Sequence, residues 1–308
     1  MKHVAVLSAG ADETAVGVQQ ALTRLGARVS FIDTSQVVLT LDADGNVTLD
    51  GVDVRDVSAV YVKSVHLSVP LFDVESMRQR APKSWPARWV AERERHAALT
   101  SALRVWESSG VPFVNPVSRF EVHLLKPLQS VQLSAAGVRV PASLTTNDPA
   151  AVRAFAAQFA EGEVIYKTPA GGALVRRLRE EDFARLDSLS TAPVLFQQRI
   201  EGDELRVTML DGECVGAWKL PARGVVDARE VLAKAKKLKK VEAGVERLCA
   251  RAAKALGLIF TSVDVRVDAD GVPWVLECNP TPSVAFYENP KTSPVLARLA
   301  TFLTKVRK

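Results

Sequence analysis

Residues 261–280 read TSVDVRVDADGVPWVLECNP, and this stretch decides the rest. Val263, Val265 and Val267 alternate with Asp264, Arg266 and Asp268, which is the period-two pattern of a strand. Asp270-Gly271 is a hairpin turn signal, and Trp274, Val275 and Leu276 build the returning strand. The hairpin carries Asp264 toward the region of Glu277 and Asn279 at the end of the second strand. Two carboxylates and an amide oxygen then converge as hard oxygen donors. Such a set suits Mg²⁺, which keeps some waters and takes further ligands from phosphates. A solvated acidic hairpin is the plainer alternative. Against it, Glu277 lies amid Val275, Leu276 and Cys278, where an unpaired carboxylate is costly.

The chain around this hairpin has 308 residues, room for two or three domains. An apolar content of 47% and a charged content of 24% are those of an ordinary soluble protein. The formal net charge of +5 favours anionic ligands but is too diffuse to argue for nucleic acid. Cys214, Cys249 and Cys278 lack metal-ligand spacing and suit a reducing compartment. The opening MKHVAVLSAGADE meets charge at once, unlike a signal peptide, and no run reaches the roughly 20 apolar residues of a membrane span. A cytoplasmic protein with no membrane or nucleic-acid partner is expected, and a homo-oligomer is compatible with this.

Residues 4–8, a helical pattern over 14–25 with its stop at Gly26, and residues 28–32 make a βαβ start, hence a parallel sheet. A hairpin follows over 37–50, a strand over 57–63 and an amphipathic helix over 87–109. The long stretch 64–95 holds Trp85 and Trp89 and is compatible with gripping a peptide or with a plain helical cover. A first boundary falls at Asn115-Pro116. Beyond it, a helix is expected from Ser118 past Pro127 toward Ala136, starting or kinking at the proline. A helix from Asp148 to about Phe159, strands over 164–168 and 174–178, a helix over 180–189 and strand 193–200 come next. A hairpin (205–210 and 213–219), a lysine-rich helical run over 231–240 and a helix over 242–256 lead into the quoted hairpin, and a helix over 294–306 closes the chain. No aromatic interleaves the lysine run, so it reads as a solvated face.

Lys167 ends an apolar strand just before Pro169-Ala170-Gly171-Gly172-Ala173. A desolvated ammonium needs an anion, and the backbone N–H groups of a glycine loop can approach phosphate closely. The loop lacks the Gly-Lys-Ser/Thr ending of a phosphate-binding P-loop. Histidines, serines and cysteines show no activating arrangement for a protein nucleophile.

An Asp, a turn and then Glu-x-Asn-Pro resemble the metal-binding end of the ATP-grasp ligases. The ECNPTPSV ending is similar to RimK-like ribosomal-protein glutamate ligases and to graspetide-type peptide ligases. The resemblance covers roughly residues 115–308, and its specificity lies in the order of short motifs. It implies an α/β (α+β) ATP-grasp fold: a parallel-sheet pre-ATP-grasp domain over 1–116, then a central subdomain over 117–193 and a C-terminal subdomain over 194–308 that clasp ATP. It implies ATP and Mg²⁺, or Mn²⁺, as cofactors, the metal held by Asp264, Glu277 and Asn279. Lys126 and Lys167 match the nucleotide-binding lysines, with Gly171 and Gly172 in the loop that closes over the phosphates. Gln198, Arg199 and Ile200 occupy the hinge whose backbone reads adenine, although the family often has a carboxylate and an aromatic at the first two places. Glu204 falls where an acidic residue bonds the ribose. Arg206, Lys219 and Arg229 match cations near the transferred phosphate, in a segment looser than the family pattern. Lysine for arginine at 219 loses bidentate phosphate contact.

The implied reaction joins a carboxylate to an amine or hydroxyl through an acyl phosphate, releasing ADP and phosphate. The implied partner is a ribosomal peptide or protein. The alternatives are a ligase for a small amino acid or dipeptide and a non-catalytic ATP-binding module.

Overall fold

Six consecutive buried residues, His3–Ser8, form β1, and a strand buried on both faces belongs inside a parallel sheet. The computed structural model describes residues 1–65, 85–171 and 173–306. Gly172 and most of the 64–95 stretch therefore lie outside the described residues. Asp12 caps the helix Glu13–Arg24 by accepting from the N–H groups of Thr14 and Ala15, and the chain returns as β2, Arg28–Asp33. The 37–50 hairpin is β3, Leu39–Leu41, and β4, Val47–Leu49, joined by β5, Val52–Asp53, as a third strand. β6, Ala59–Val62, the helix Trp85–Ser108 and β7, Phe113–Val114, follow. The parallel sheet runs in the order β2-β1-β6-β7.

The chain packs as two compact units, residues 1–118 with 283–308, and residues 119–282. The last segment joins the first unit rather than the hairpin that precedes it. The reason is local: Gly17 lies against the helix Pro294–Lys305, and a Cβ at Gly17 would come within 2.6 Å of Leu296 Cδ1. Only glycine lets the two helices approach so closely.

A 3₁₀ helix, Val117–Leu124, leads into the second unit and precedes the helix Lys126–Ala135, so the chain breaks before Pro127 instead of running through it. Proline in a first turn forfeits no hydrogen bond, which fixes that break. β8, Ser143–Thr146, the helix Pro149–Ala156, β9, Val164–Lys167, β10, Arg176–Arg177, and β11, Val194–Gln198, follow. These strands make an antiparallel sheet ordered β10-β9-β11-β8. Val164 and Phe196 face Val152 and Phe155 of the helix beneath. The expected helix over 180–189 is a single turn, Glu180–Phe183, and a 3₁₀ helix, Leu186–Thr191.

β12, Asp203–Leu210, β13, Glu213–Leu220, β14, Lys236–Lys237, β15, Phe260–Val267, and β16, Pro273–Asn279, form the second antiparallel sheet, ordered β14-β13-β12-β15-β16. The lysine run is not the helix its composition suggests. It is a 3₁₀ helix, Ala228–Lys234, and then β14, because the Leu238 N–H bonds Ala217 O at 2.9 Å and ties the segment to the sheet edge. One face of this sheet is apolar: Val207, Met209, Ala217, Val263, Val265, Val275 and Cys278 pack against Val245, Cys249, Ala252 and Leu256 of the helix Ala243–Ala255. Each aliphatic side chain buried there stabilises the unit by about 1.5–3 kcal/mol, which leaves the other face free for polar groups. Among the described residues no helix is long and apolar enough to cross a membrane.

Candidate active site

The polar face of the five-stranded sheet carries its chemistry in rows. Directly opposed residues project to the same side. Arg206 opposes Asp264 and Asp264 opposes Glu277, giving one row across β12, β15 and β16. Glu204 opposes Arg266 in the row beside it, and Thr208, Ser262 and Asn279 form the row on the other side.

A β-bulge makes the central row possible. From the turn, Val267 pairs with Pro273 and Val265 with Val275, but Asp264 then pairs with Glu277 because Leu276 is an extra residue. Without that bulge Glu277 and Asn279 would turn to the apolar face. A bulge that re-aims side chains beside a site is a recurrent device.

A second bulge has the opposite effect on Lys219. The Asp211-Gly212 turn pairs Leu210 with Glu213 and Met209 with Cys214, a register that would set Lys219 opposite Glu204. The bulge between Thr208 and Met209 instead sets Lys219 opposite Leu205, on the apolar face, where its Nζ pairs with Asp203 Oδ2 at 2.9 Å. The structure therefore does not bring Lys219 to the cluster.

Arg206 pairs with Asp264 through Oδ2, and its Nη2 lies 2.8 Å from Glu204 Oε1. Arg266 Nε donates to Glu204 Oε2 at 3.1 Å. Asp264 is buried, and its Oδ1 has no hydrogen-bond partner among the described residues. Burial pushes the Asp264 carboxyl up to about 6, against the pull of Arg206. A carboxylate in that condition calls for a cation. Glu277 pairs with Lys126, and Asn279 Oδ1 accepts from the Thr281 N–H at 3.0 Å. Among the described residues no three His, Cys, Asp or Glu side chains are grouped to hold a metal. The third donor is an amide, and the set fits a hard divalent cation that draws its other ligands from water and phosphate.

The helix Lys126–Ala135 braces this strand at two consecutive residues. Lys126 meets Glu277, and Gln129, one turn later, accepts from the Cys278 N–H at 2.9 Å and donates to Cys278 O at 3.2 Å. Gln129 is buried and also donates to Val122 O at 2.7 Å. Gln129 belongs to none of the motifs read from the sequence, although its place three residues after Lys126 sets both on one helix face.

Lys167, at the end of β9, donates to Gln197 Oε1 at 3.1 Å, and Gln197 Nε2 donates to Ser143 Oγ at 2.9 Å. Burial pulls the Lys167 ammonium down to about 8, and Lys126 nearby adds to the effect. Lys126 is lowered by burial and by the positive charges of Arg206 and Arg229. Four cations thus share one field with Asp264, Glu204 and Asp227. The inward amide is Gln197. Gln198 opposes Val164, on the face packed by the helix Pro149–Ala156. Arg199 pairs with Glu163 Oε1 at 3.2 Å and with Glu201, and its N–H donates to Glu163 O at 2.7 Å. Ile200 is buried, and its C=O accepts from Arg266 Nη1 at 3.3 Å.

The glycine loop is tied down on both sides of its tip. Thr168 Oγ1 donates to Gly171 O at 2.6 Å, and a Cβ on Gly171 would lie 3.4 Å from Lys126 Cε. Arg229 donates to Ala173 O at 2.8 Å, and buried Asp227 accepts from the Val175 N–H at 3.1 Å while holding Arg229 at 2.5 Å. Burial works to raise Asp227, but the bonds from Arg229 outweigh it and the carboxyl lies below its usual range.

The chain is 30% identical to the ATP-grasp ligase PsnB in its complex with a minimal precursor, Mg and ADP, over 97% of this chain and 96% of that one, with a TM-score of 0.77. This chain belongs to the ATP-grasp ligases. No protein-family model and no curated protein matches the sequence. Two further solved structures share the fold: the macrocyclase MdnC from Microcystis aeruginosa MRC, bound with precursor peptide MdnA, at 20% identity over 99% and 100% of the chains and a TM-score of 0.78, and a Chryseobacterium gregarium RiPP-associated ATP-grasp ligase with ADP and a leader and core peptide, at 18% over 98% and 97% with a TM-score of 0.78. The ATP-grasp fold accounts for the pairing of a parallel-sheet unit with two antiparallel sheets.

Proposed function

We propose that this chain is an ADP-forming ligase that uses ATP and Mg²⁺ to activate a carboxylate and join it to an amine or hydroxyl, with a peptide as the substrate class. The observation that carries the reading is the Arg206–Asp264–Glu277 row, whose buried Asp264 Oδ1 is left for a cation and which shares one field with Lys126 and Lys167. The four-stranded sheet serves as the central nucleotide-clasping subdomain and the five-stranded sheet as its C-terminal counterpart. Asp264, Glu277 and Asn279 hold the metal. Bound Mg²⁺ supplies charge neutralisation as the phosphoryl group moves. Lys126, Lys167 and Arg206 bind and orient the phosphates, and Arg229 with Asp227 holds the glycine loop as a cover that excludes water from an activated carboxylate. The backbone of 198–200 reads the base, and Glu204 keeps lone pairs for ribose hydroxyls beside its two arginines. Lys219 has no part in this assignment.

The experiment measures ADP formation against ATP affinity in Glu277→Gln, across a Mg²⁺ titration, with a carboxylate-rich peptide as substrate. Turnover is expected to fall by about a hundredfold or more while ATP affinity changes far less, since the metal matters most as charge develops. ADP formation at the wild-type rate with the same Mg²⁺ dependence would make the row structural. ATP binding without ADP formation on any peptide would favour a non-catalytic module.

A further inference from the structure

The 231–241 segment, VLAKAKKLKKV, is built like a display. Val231 and Val241 are buried, Leu232, Ala235 and Leu238 pack against neighbouring cores, and β14 pairs Lys236 with Lys219 and Lys237 with Trp218. The backbone is therefore fixed along its length, while Lys234, Lys236, Lys237, Lys239 and Lys240 are all exposed. Among the described residues Lys234, Lys236, Lys239 and Lys240 enter no ion pair. These five lysines equal the whole formal charge of +5, so the remainder of the chain is neutral. Nor is the arrangement relaxed. Lys236 stands directly opposite Lys219, and like charges across a strand pair are unfavourable. Asp203, the carboxylate that meets Lys219 at 2.9 Å, is shared with Arg223 at 3.6 Å.

Lysines often guard a sheet edge against pairing with other chains. That purpose needs one or two charges, and it does not favour a repelling pair on the adjacent strand. A field this concentrated favours an anionic partner. Nucleic acid fits poorly: the exposed run contains no aromatic for base stacking, it has no arginine for base edges, and the rest of the chain offers no net charge to track a phosphate backbone. We propose that this basic edge is a docking surface for a carboxylate-rich stretch of the peptide substrate, distinct from the residues that perform the reaction. Lys234 to Lys240 spans about 20 Å if extended, which matches some six residues of extended peptide. The surface raises the local concentration of an acidic peptide through a field that salt screens, and it adds nothing to turnover once peptide is saturating. The partner class rests on the ligase reading above, so the test separates the two.

A fluorescent oligoglutamate peptide is titrated into the full chain at several salt concentrations, beside oligoglutamine, an oligothymidylate of equal charge and vesicles containing phosphatidylserine. The variant carries Lys236→Gln, Lys237→Gln, Lys239→Gln and Lys240→Gln, which keeps long polar side chains and removes the charge. Oligoglutamate is expected to bind with an affinity that falls as salt rises, and the variant to lose about tenfold or more and most of its salt dependence. Oligoglutamine should not bind. Equal oligoglutamate affinity in the variant and the wild type would overturn the proposal in favour of an edge guard. Tighter binding of the oligonucleotide or the vesicles, lost in the same variant, would overturn it in favour of those partners. Mg-ATP affinity, measured on both proteins, is expected to be unchanged. Oligoglutamate binding lost in the variant, in a protein that binds no ATP, would sink the ligase reading and the peptide-substrate partner with it.

Discussion

Lys167 is held between two opposing demands. Its ammonium is desolvated at the end of β9, which pulls it from 10.5 to about 8, and its fixed neighbour is the neutral oxygen of Gln197. The folded value lies below the unfolded one, so the unfolded chain binds that proton more tightly. The group therefore weighs fully against the fold below about pH 8, and stability should rise as pH climbs from about 8 to 10.5. Chemical denaturation across that window should show the rise in wild type and a flatter profile in Lys167→Met. A phosphate placed beside Nζ favours the charged form. Nucleotide binding near pH 8 to 9 should then take up a proton, visible in calorimetry as a dependence of the binding heat on buffer ionisation. Nucleotide binding without proton uptake would place the phosphates elsewhere.

At the scale of elements, the helix Lys126–Ala135 and β16 act as one piece, because Gln129 satisfies both backbone groups of Cys278 between Glu277 and Asn279. Gln129→Leu would leave those buried groups unpaired at a cost of about 1–3 kcal/mol. It should also raise the Mg²⁺ concentration needed for half-maximal ADP formation, with little change in ATP affinity measured without metal. A change in stability with an unchanged Mg²⁺ requirement would mean that Gln129 only packs. Much of this element was legible in the chain. The alternating valines and the Asp270-Gly271 turn announce the hairpin, and Asp264 and Arg266 share a face by simple counting. What counting cannot supply is the register beyond a bulge. One extra residue at Leu276 brings Glu277 into the row, and the bulge between Thr208 and Met209 sends Lys219 out of its own. Nothing local marks either bulge, since each is set by how two strands meet the core beneath them. The lysine run misled for a related reason. Its composition favours helix, but edge pairing with β13 and the anchors Val231 and Leu238 override that preference.

At the scale of the whole molecule, the first unit is built from both ends of the chain and the second is inserted between them. The seam is the contact of Gly17 with Pro290 and Leu296. Gly17→Leu should therefore destabilise the first unit by about 1–3 kcal/mol through overpacking, while the second unit, with its own cores, melts as before. Scanning calorimetry should resolve one shifted and one unshifted transition, and a common shift of both would mean that the units unfold together. The same connectivity sets an order of events during synthesis. When residues 119–282 have left the ribosome, the second unit has every strand it needs, whereas the first still lacks the helix Pro294–Lys305. At ordinary elongation rates the nascent N-terminal sheet waits on the order of ten seconds for its last helix. In that interval its apolar helix face is open to chaperones, so the half of the protein that is made first is the half that matures last.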